Sequence, residues 1–504
     1  MLKLSLVRAR RTFYMYKVKS SDVNAVKKYI HKTWDSLTRS LTDTVHSAED
    51  PKTRSGGYSQ PTIYIPETDD FNTAYQNIKD QVDPKEFKRL RVAPLKKHHH
   101  DTDPDAMLYL PYPYVVPGGR FNEMYGWDSF FIIIGLLKDD RLELAKCMAR
   151  NLLYEIKHYG KMLNANRCYY LTRSQPPIIS ECILAIFHFE RDKKWLKEAL
   201  PDLIKFYEYW TTDKRLIKSL GLSRYYADSD KPLPDAEIGY HERIMRFFTE
   251  YKVTSYDVKR FYDARKKELK PAFFRADRSV RESGFDLSNK FGPFGADINS
   301  FAPVSLNALL CKMEQNIAFI YHELRDKKNE EKWLKKSRDR TLIMNENLFE
   351  PDLGYYFDYN FKHNRNRLYI YASTFYPLIA DIPLAHQAEA VIRNLPSLES
   401  NGGIMASAYV TGMQWDAPFG WAPHQLFAVR ALAEYNAVDD ARRVATKWIS
   451  MINEDFRRTG KLYEKYDMVR RTSDVVMQIK YGYKVNVEGF GWTNAVYVHL
   501  LEYL

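Results

Sequence analysis

The sequence predicts an all-α fold, and three observations carry that prediction. Apolar residues recur at helical spacing over long stretches, strands and helices do not alternate, and the glycine- and proline-rich motifs fall between the periodic segments. Taken in order, residues 22–40 place Val26, Tyr29, Ile30, Trp34 and Leu37 on one helix face. Residues 42–107 break the pattern with Ser55-Gly56-Gly57, an extended stretch at 63–65 and the run Lys96-Lys97-His98-His99-His100-Asp101. They read as an N-terminal insertion, an excursion from the helical scaffold. Periodicity returns across 141–158 and 195–210. Leu309, Met313, Ile317, Ile320 and Leu324 continue it at spacings of four, four, three and four. The same pattern covers 424–436 and 440–453. Chemistry is left to the loops.

Composition narrows the function classes. With 45% hydrophobic and 28% charged residues among 504, the chain can bury a large core and is not disordered throughout. The net charge of +12 would permit attraction to nucleic acid or anionic lipid. Basic residues are interspersed with acidic ones, however, as in Lys327-Lys328-Asn329-Glu330-Glu331-Lys332, which reads as a solvated helix face. Neither a nucleic-acid nor a membrane partner is expected. Cys147, Cys168, Cys182 and Cys311 have neither metal-type spacing nor the density of a disulfide framework, so reduced thiols and a cytoplasmic location are expected. No apolar run has the length of a bilayer span. Residues 1–21 form a basic N-terminal extension without an acid, and Met15 offers a second start within it. Three consecutive histidines cannot all face one ion on a regular element, so His98, His99 and His100 read as a solvated loop.

Two stretches stand apart. Pro117-Gly118-Gly119-Arg120-Phe121-Asn122-Glu123-Met124-Tyr125-Gly126-Trp127-Asp128 brings paired glycines, a guanidinium, aromatic rings and carboxylates together. Glycines let backbone approach a ligand, arginine offers a fork of donors, and an ionised aspartate accepts from hydroxyls. Gln414-Trp415-Asp416-Ala417-Pro418-Phe419-Gly420-Trp421-Ala422-Pro423 repeats that chemistry much later in the chain. The mixture suits a small polyhydroxylated ligand. Together the two stretches resemble the two signatures of the trehalase family of glycoside hydrolases.

The resemblance implies an (α/α)6 toroid with its active cleft at one mouth, spanning residues 22–504 and interrupted by the insertion at 42–107. It also implies inverting hydrolysis of α,α-trehalose to two glucose molecules, without a cofactor or metal. Such hydrolysis needs one protonated and one ionised carboxyl group. Arg281-Glu282-Ser283-Gly284-Phe285-Asp286-Leu287-Ser288 resembles the family's general-acid motif, with Phe285 in place of tryptophan, and implies Asp286 as the acid. Apolar neighbours at Phe285 and Leu287 would favour its neutral form. Val487-Glu488-Gly489-Phe490-Gly491-Trp492-Thr493-Asn494 resembles the family's Gln-(Asp/Glu)-Gly-Phe-Gly-Trp-Thr-Asn motif and implies Glu488 as the base.

Matched positions imply sugar binding by Arg120, Trp127, Asp128, Asn164, Arg173, Ser174, Gln175 and Gly284, with Trp415 as a ring-sized wall. Two departures bear on specificity. Leu233 stands where the family has a substrate arginine, leaving Arg281 or Lys231 to take its place, and the family's glycine-rich lid is missing from 472–484. Two alternatives remain open here. One is an inverting glycosidase acting on another α-glucoside, such as a glucosylated compatible solute. The other is a sugar-binding protein without turnover.

Overall fold

The computed structural model describes residues 16–46, 60–103, 106–483 and 485–504. Met15 and Ser55-Gly56-Gly57 lie outside these residues. Helix α1 (Ser20–Leu37) buries Val26, Ile30, Thr33, Trp34 and Leu37 along one face. The insertion follows as strand β1 (Thr62–Pro66), helix α2 (Phe71–Gln81) and strands β2 (Arg91–Leu95) and β3 (Met107–Leu108). The helical scaffold resumes with α3 (Asp128–Lys138), α4 (Leu142–Tyr154), α5 (Ile179–Glu190) and α6 (Lys193–Thr211). A long connection carrying α7 (Tyr240–Glu250) and α8 (Pro271–Glu282) leads to α9 (Val304–Glu323) and α10 (Lys327–Asn347). Next come α11 (Tyr376–Ile379), α12 (Ala385–Arg393), strand β4 (Phe419–Trp421) and α13 (Ala422–Glu434). Helix α14 (Val438–Thr459), strand β5 (Lys465–Asp467) and α15 (Gly491–Leu500) complete the order.

Alternate helices form two concentric rings. The inner ring runs α3, α5, α9, α11, α13, α15, each touching the next, and α15 packs back on α3. Helices α1, α4, α6, α10, α12 and α14 make up the outer ring. Sequence explains the division. Every residue from Asp128 to Leu136 on α3 is buried, as is every residue from Ala422 to Val429 on α13. A helix apolar on all sides must be interior. Outer α10 buries only Trp333, Ser337, Arg340 and Met344, one narrow stripe. The ring closes where Gly135 of α3 meets Ala495 of α15, with room for no side chain between them. This is an (α/α)6 toroid.

The insertion is more ordered than its sequence suggested. Central β1 pairs in parallel with β2 and β3, and α2 lays Ala74 and Ile78 into a satellite core with Ile63, Ile65 and Val82. Central β1 is buried along its whole length, so it carries no apolar–polar alternation for the sequence to display. The histidine run is not a solvated loop throughout, because the His99 ring stacks on Tyr64 at 4.1 Å and is half-buried. The sheet meets the scaffold through Leu108, whose N–H donates to the Asn166 carbonyl at 2.9 Å.

Candidate active site

A cavity of about 430 Å³ opens at the N-terminal ends of the inner helices, within the usual range of ligand sites, about 300–1,000 Å³. Residues just ahead of or at the starts of α3, α5, α13 and α15 line it: Trp127 and Asp128, Gln175, Trp421, and Phe490 with Trp492. The first signature adds Pro117, Arg120, Phe121 and Tyr125. Asn164, Tyr170 and Arg173 come from the loop after α4, and Asp235 and Glu237 from the connection before α7. Arg281 comes from the last turn of α8, Gly284 and Asp286 follow it, and Gln414, Trp415, Glu464, Tyr483 and Val487 close the far side. Of the sequence-predicted sugar-binding residues, Arg120, Trp127, Asp128, Asn164, Arg173, Gln175, Gly284 and Trp415 all meet here.

Backbone bridges hold these loops in register. Tyr125 pairs with Ala165 and Leu163 with Ser174, while the Trp127 N–H donates to Gln175 Oε1 at 2.8 Å. Buried Glu282 ends α8 and accepts from the Ser174 N–H at 2.9 Å, the Tyr226 N–H at 3.2 Å and the Tyr209 hydroxyl at 3.2 Å. Ser174 itself does not reach the cavity. Its hydroxyl donates to the Met162 carbonyl at 2.5 Å, so it supports the wall from behind. Gly284 has a φ of +78°, and a Cβ there would stand 2.9 Å from Trp127 Cζ2. Only glycine lets this turn pass under the indole. Trp415 stacks face to face on Trp421 at 3.8 Å. Both rings line the cavity, a double-indole wall of the kind sugars pack against.

Charge is concentrated around Asp286. Arg281 Nη1 donates to Asp286 Oδ2 at 3.2 Å, and Arg173 Nη2 donates to Asp235 Oδ2 at 2.8 Å. Burial outweighs the attraction of Arg281 and Arg173 and, helped by the nearby Glu464 charge, pushes the Asp286 carboxyl up to about 6. Asp128 rises well above the usual carboxylate range, mainly through burial and then through Glu464. Asp416 of the second signature turns away from the cavity. It accepts from the Ser288 hydroxyl at 2.9 Å, the Asn289 N–H at 2.9 Å and the Thr411 hydroxyl at 2.7 Å, anchoring the acid-bearing loop.

Glu488 is not in this cavity. Its side chain is 59% exposed and pairs with Lys461 at 3.2 Å. The cause is strand alternation. Tyr463 and Glu488 form an antiparallel bridge, Glu464 N–H donates to the Val487 carbonyl at 2.9 Å, and Val487 is the residue facing inward. Its chain neighbour Glu488 therefore points the other way. Across this bridge the carboxylate that lines the cavity is Glu464, only 11% exposed, whose Oε2 accepts from buried Lys465 Nζ at 3.0 Å. The pairing of β5 with β4, Trp421 opposite Lys465, and the Trp492 indole donating to the Glu464 carbonyl at 2.9 Å fix it there. Sequence reasoning passed over it. The available signal was an acid–lysine pair set between tyrosines in Tyr463-Glu464-Lys465-Tyr466.

Leu233 is buried outside the cavity, and Arg281 lines it while Lys231 does not. Among the described residues no group of three or more His, Cys, Asp or Glu side chains is arranged to hold a metal ion, and no helix is long and apolar enough to cross a membrane.

A family model described as Trehalase matches residues 6–504. A probable trehalase of Eremothecium gossypii is 33% identical, over 96% of this chain and 73% of that protein. The cytosolic neutral trehalase of Saccharomyces cerevisiae is also 33% identical, over 97% of this chain and 73% of its own length. Among solved structures, a neutral trehalase from Saccharomyces cerevisiae superposes with a TM-score of 0.82 at 31% identity, covering 96% of this chain and 94% of that one. A mannosylglycerate hydrolase from Thermus thermophilus shares the fold alone, with a TM-score of 0.52 at 16% identity over 76% of this chain and 95% of its own.

Proposed function

The chain belongs to the trehalase family, and from that premise we propose that it is an α,α-trehalase in which Asp286 is the general acid and Glu464 the general base. One observation carries the assignment: these two carboxyl groups share a single aromatic-walled cavity, from which Glu488 is excluded. Its relatives named cytosolic support a cytoplasmic location.

The mechanism follows from the placement. Asp286, kept protonatable by burial, gives its proton to the bridging oxygen as the glycosidic bond breaks. Glu464 takes a proton from a water, whose oxygen attacks the anomeric carbon from the opposite face and inverts it. Arg173, Asn164, Gln175 and Asp128 supply donors and acceptors for the glycone hydroxyls. Trp127 and the Trp415–Trp421 pair supply apolar walls that exclude water. Arg281, which lines the cavity where Leu233 does not, gives the leaving glucose a cationic donor.

Turnover of trehalose by purified variants tests the assignment. Asp286→Asn and Glu464→Gln should each lose about 10²-fold or more in kcat, the usual contribution of a general acid or base. Glu488→Gln should stay within about threefold of the parent, because exposed ion pairs contribute little. Near-parental turnover by Asp286→Asn or Glu464→Gln would overturn the corresponding role.

A further inference from the structure

Tyr483 is not demanded by hydrolysis, yet it meets the supports of both carboxyl groups. Its hydroxyl accepts from Arg281 Nη1 at 2.6 Å, and the same nitrogen donates to Asp286 Oδ2 at 3.2 Å. Its backbone N–H donates to Gln414 Oε1 at 3.1 Å. Gln414 Nε2 donates in turn to the Asp286 backbone carbonyl, and Gln414 Oε1 also accepts from Lys465 Nζ, the ammonium holding Glu464.

Residues 476–483 bring Tyr483 to the cavity wall. Met477 is 96% exposed and Val485 is exposed, while Tyr483 reaches inward and lines the cavity. Tyr481 fastens the same segment through edge-on ring contacts to Phe247 and Phe294. More than these rings holds it: buried Ile479 packs with Phe419 and Val475, and the Lys480 and Tyr481 N–H groups donate to the Gly412 carbonyl at 2.8 and 3.1 Å.

We propose that Tyr483 is a positioning residue that keeps the proton on Asp286, by drawing the Arg281 guanidinium toward its hydroxyl and away from the carboxyl. This rests on the reading of Asp286 as the acid. Charge-assisted bonds of this type settle near about 2.7–2.9 Å. The Arg281–Asp286 contact is longer than that, whereas the bond to the phenol is short. On its other side the guanidinium lies 3.6 Å from Asp277 and over the Tyr240 ring at 5.5 Å. Arg281 and Arg173 favour the Asp286 carboxylate, while burial, Glu464 and Asp128 favour the acid. Tyr483 faces Asp235 and Tyr170 as well, but of the two cations only Arg281 bonds to it. Without that hydroxyl, Arg281 closes on Asp286 and the proton leaves at lower pH. With it, Asp286 stays neutral and keeps its proton for the bridging oxygen.

The test is the pH profile of kcat/KM on trehalose for the parent, Tyr483→Phe and Asp286→Asn. Removal of the hydroxyl alone keeps the ring and its packing. The alkaline limb of Tyr483→Phe should move to lower pH by about half to one unit, the scale on which one such contact shifts a carboxyl, and the acidic limb should stay in place. An alkaline limb that is unmoved, or that moves to higher pH, overturns the inference while leaving the acid assignment intact, provided Asp286→Asn is inactive across the range. Activity in Asp286→Asn would overturn the acid assignment and the inference together.

Discussion

Asp286 shows how a catalytic requirement is written into stability. Its carboxyl is raised from 3.8 to about 6 in the folded state, chiefly by burial, with 21% of the side chain exposed. A group raised on folding favours the folded state below its unfolded value, and that contribution is lost as pH rises through the folded value. Between about pH 4 and pH 6, therefore, the native protein gives up stability to keep a site for the proton. Two units correspond to roughly 3 kcal/mol at about 1.4 kcal/mol per unit. Asp286→Asn, which mimics the neutral acid, should raise the thermal midpoint relative to the parent at pH 8 and show little difference at pH 4. Equal effects at both pH values would show that the carboxyl is not strained in this way. In the parent, kcat/KM should fall above about pH 6 as the free enzyme's acid ionises. Phe285 and Leu287 made this environment legible in the sequence, because both flanking side chains are buried.

At the scale of elements, short irregular segments decide which carboxylate enters the cavity. Glu488 sits in a well-matched motif, but a motif does not state which face of a two-stranded bridge a residue occupies. Val487 and Glu488 are adjacent and point oppositely, and only the pairing with Tyr463 settles which one faces inward. The same holds for Asp416, which resembles a ligand-binding acid in sequence and serves as an anchor for the loop bearing Asp286. Asp416→Ala leaves the Asn289 N–H and two hydroxyls without their acceptor, each buried loss costing about 1–3 kcal/mol. The expected result is a lower thermal midpoint and a kcat reduced more than KM is raised, with Asp416→Asn retaining part of both. A variant indistinguishable from the parent in both measurements would mean that the anchor is dispensable. Residues carried by a single loop, such as Trp127 and Asp128, were legible as cavity residues because one signature holds both. Residues selected by pairing between loops, such as Glu464 and Tyr483, were not.

For the whole molecule, ring closure brings the acid and base loops together. Helical periodicity at 141–158, 195–210, 424–436 and 440–453 corresponds to α4, α6, α13 and α14, but amphipathic faces alone do not say how many helices close a ring. That information lies in contacts such as the α3–α15 seam, where a Cβ on Gly135 would stand 2.7 Å from the Ala495 Cβ. Gly135→Ala should destabilise the protein by about 1–3 kcal/mol despite its better helix propensity, since overpacking a backbone contact outweighs that gain. A lower urea midpoint reads the effect, and an unchanged or higher one would contradict the seam. The assignment built on this architecture is tested most directly by proton NMR of glucose anomers in the first moments of trehalose hydrolysis. We expect the parent and Glu488→Gln to release β- and α-glucose in equal amounts before mutarotation, and Glu464→Gln to release neither. Release of both anomers by Glu464→Gln, with silence from Glu488→Gln, would contradict the placement of the base.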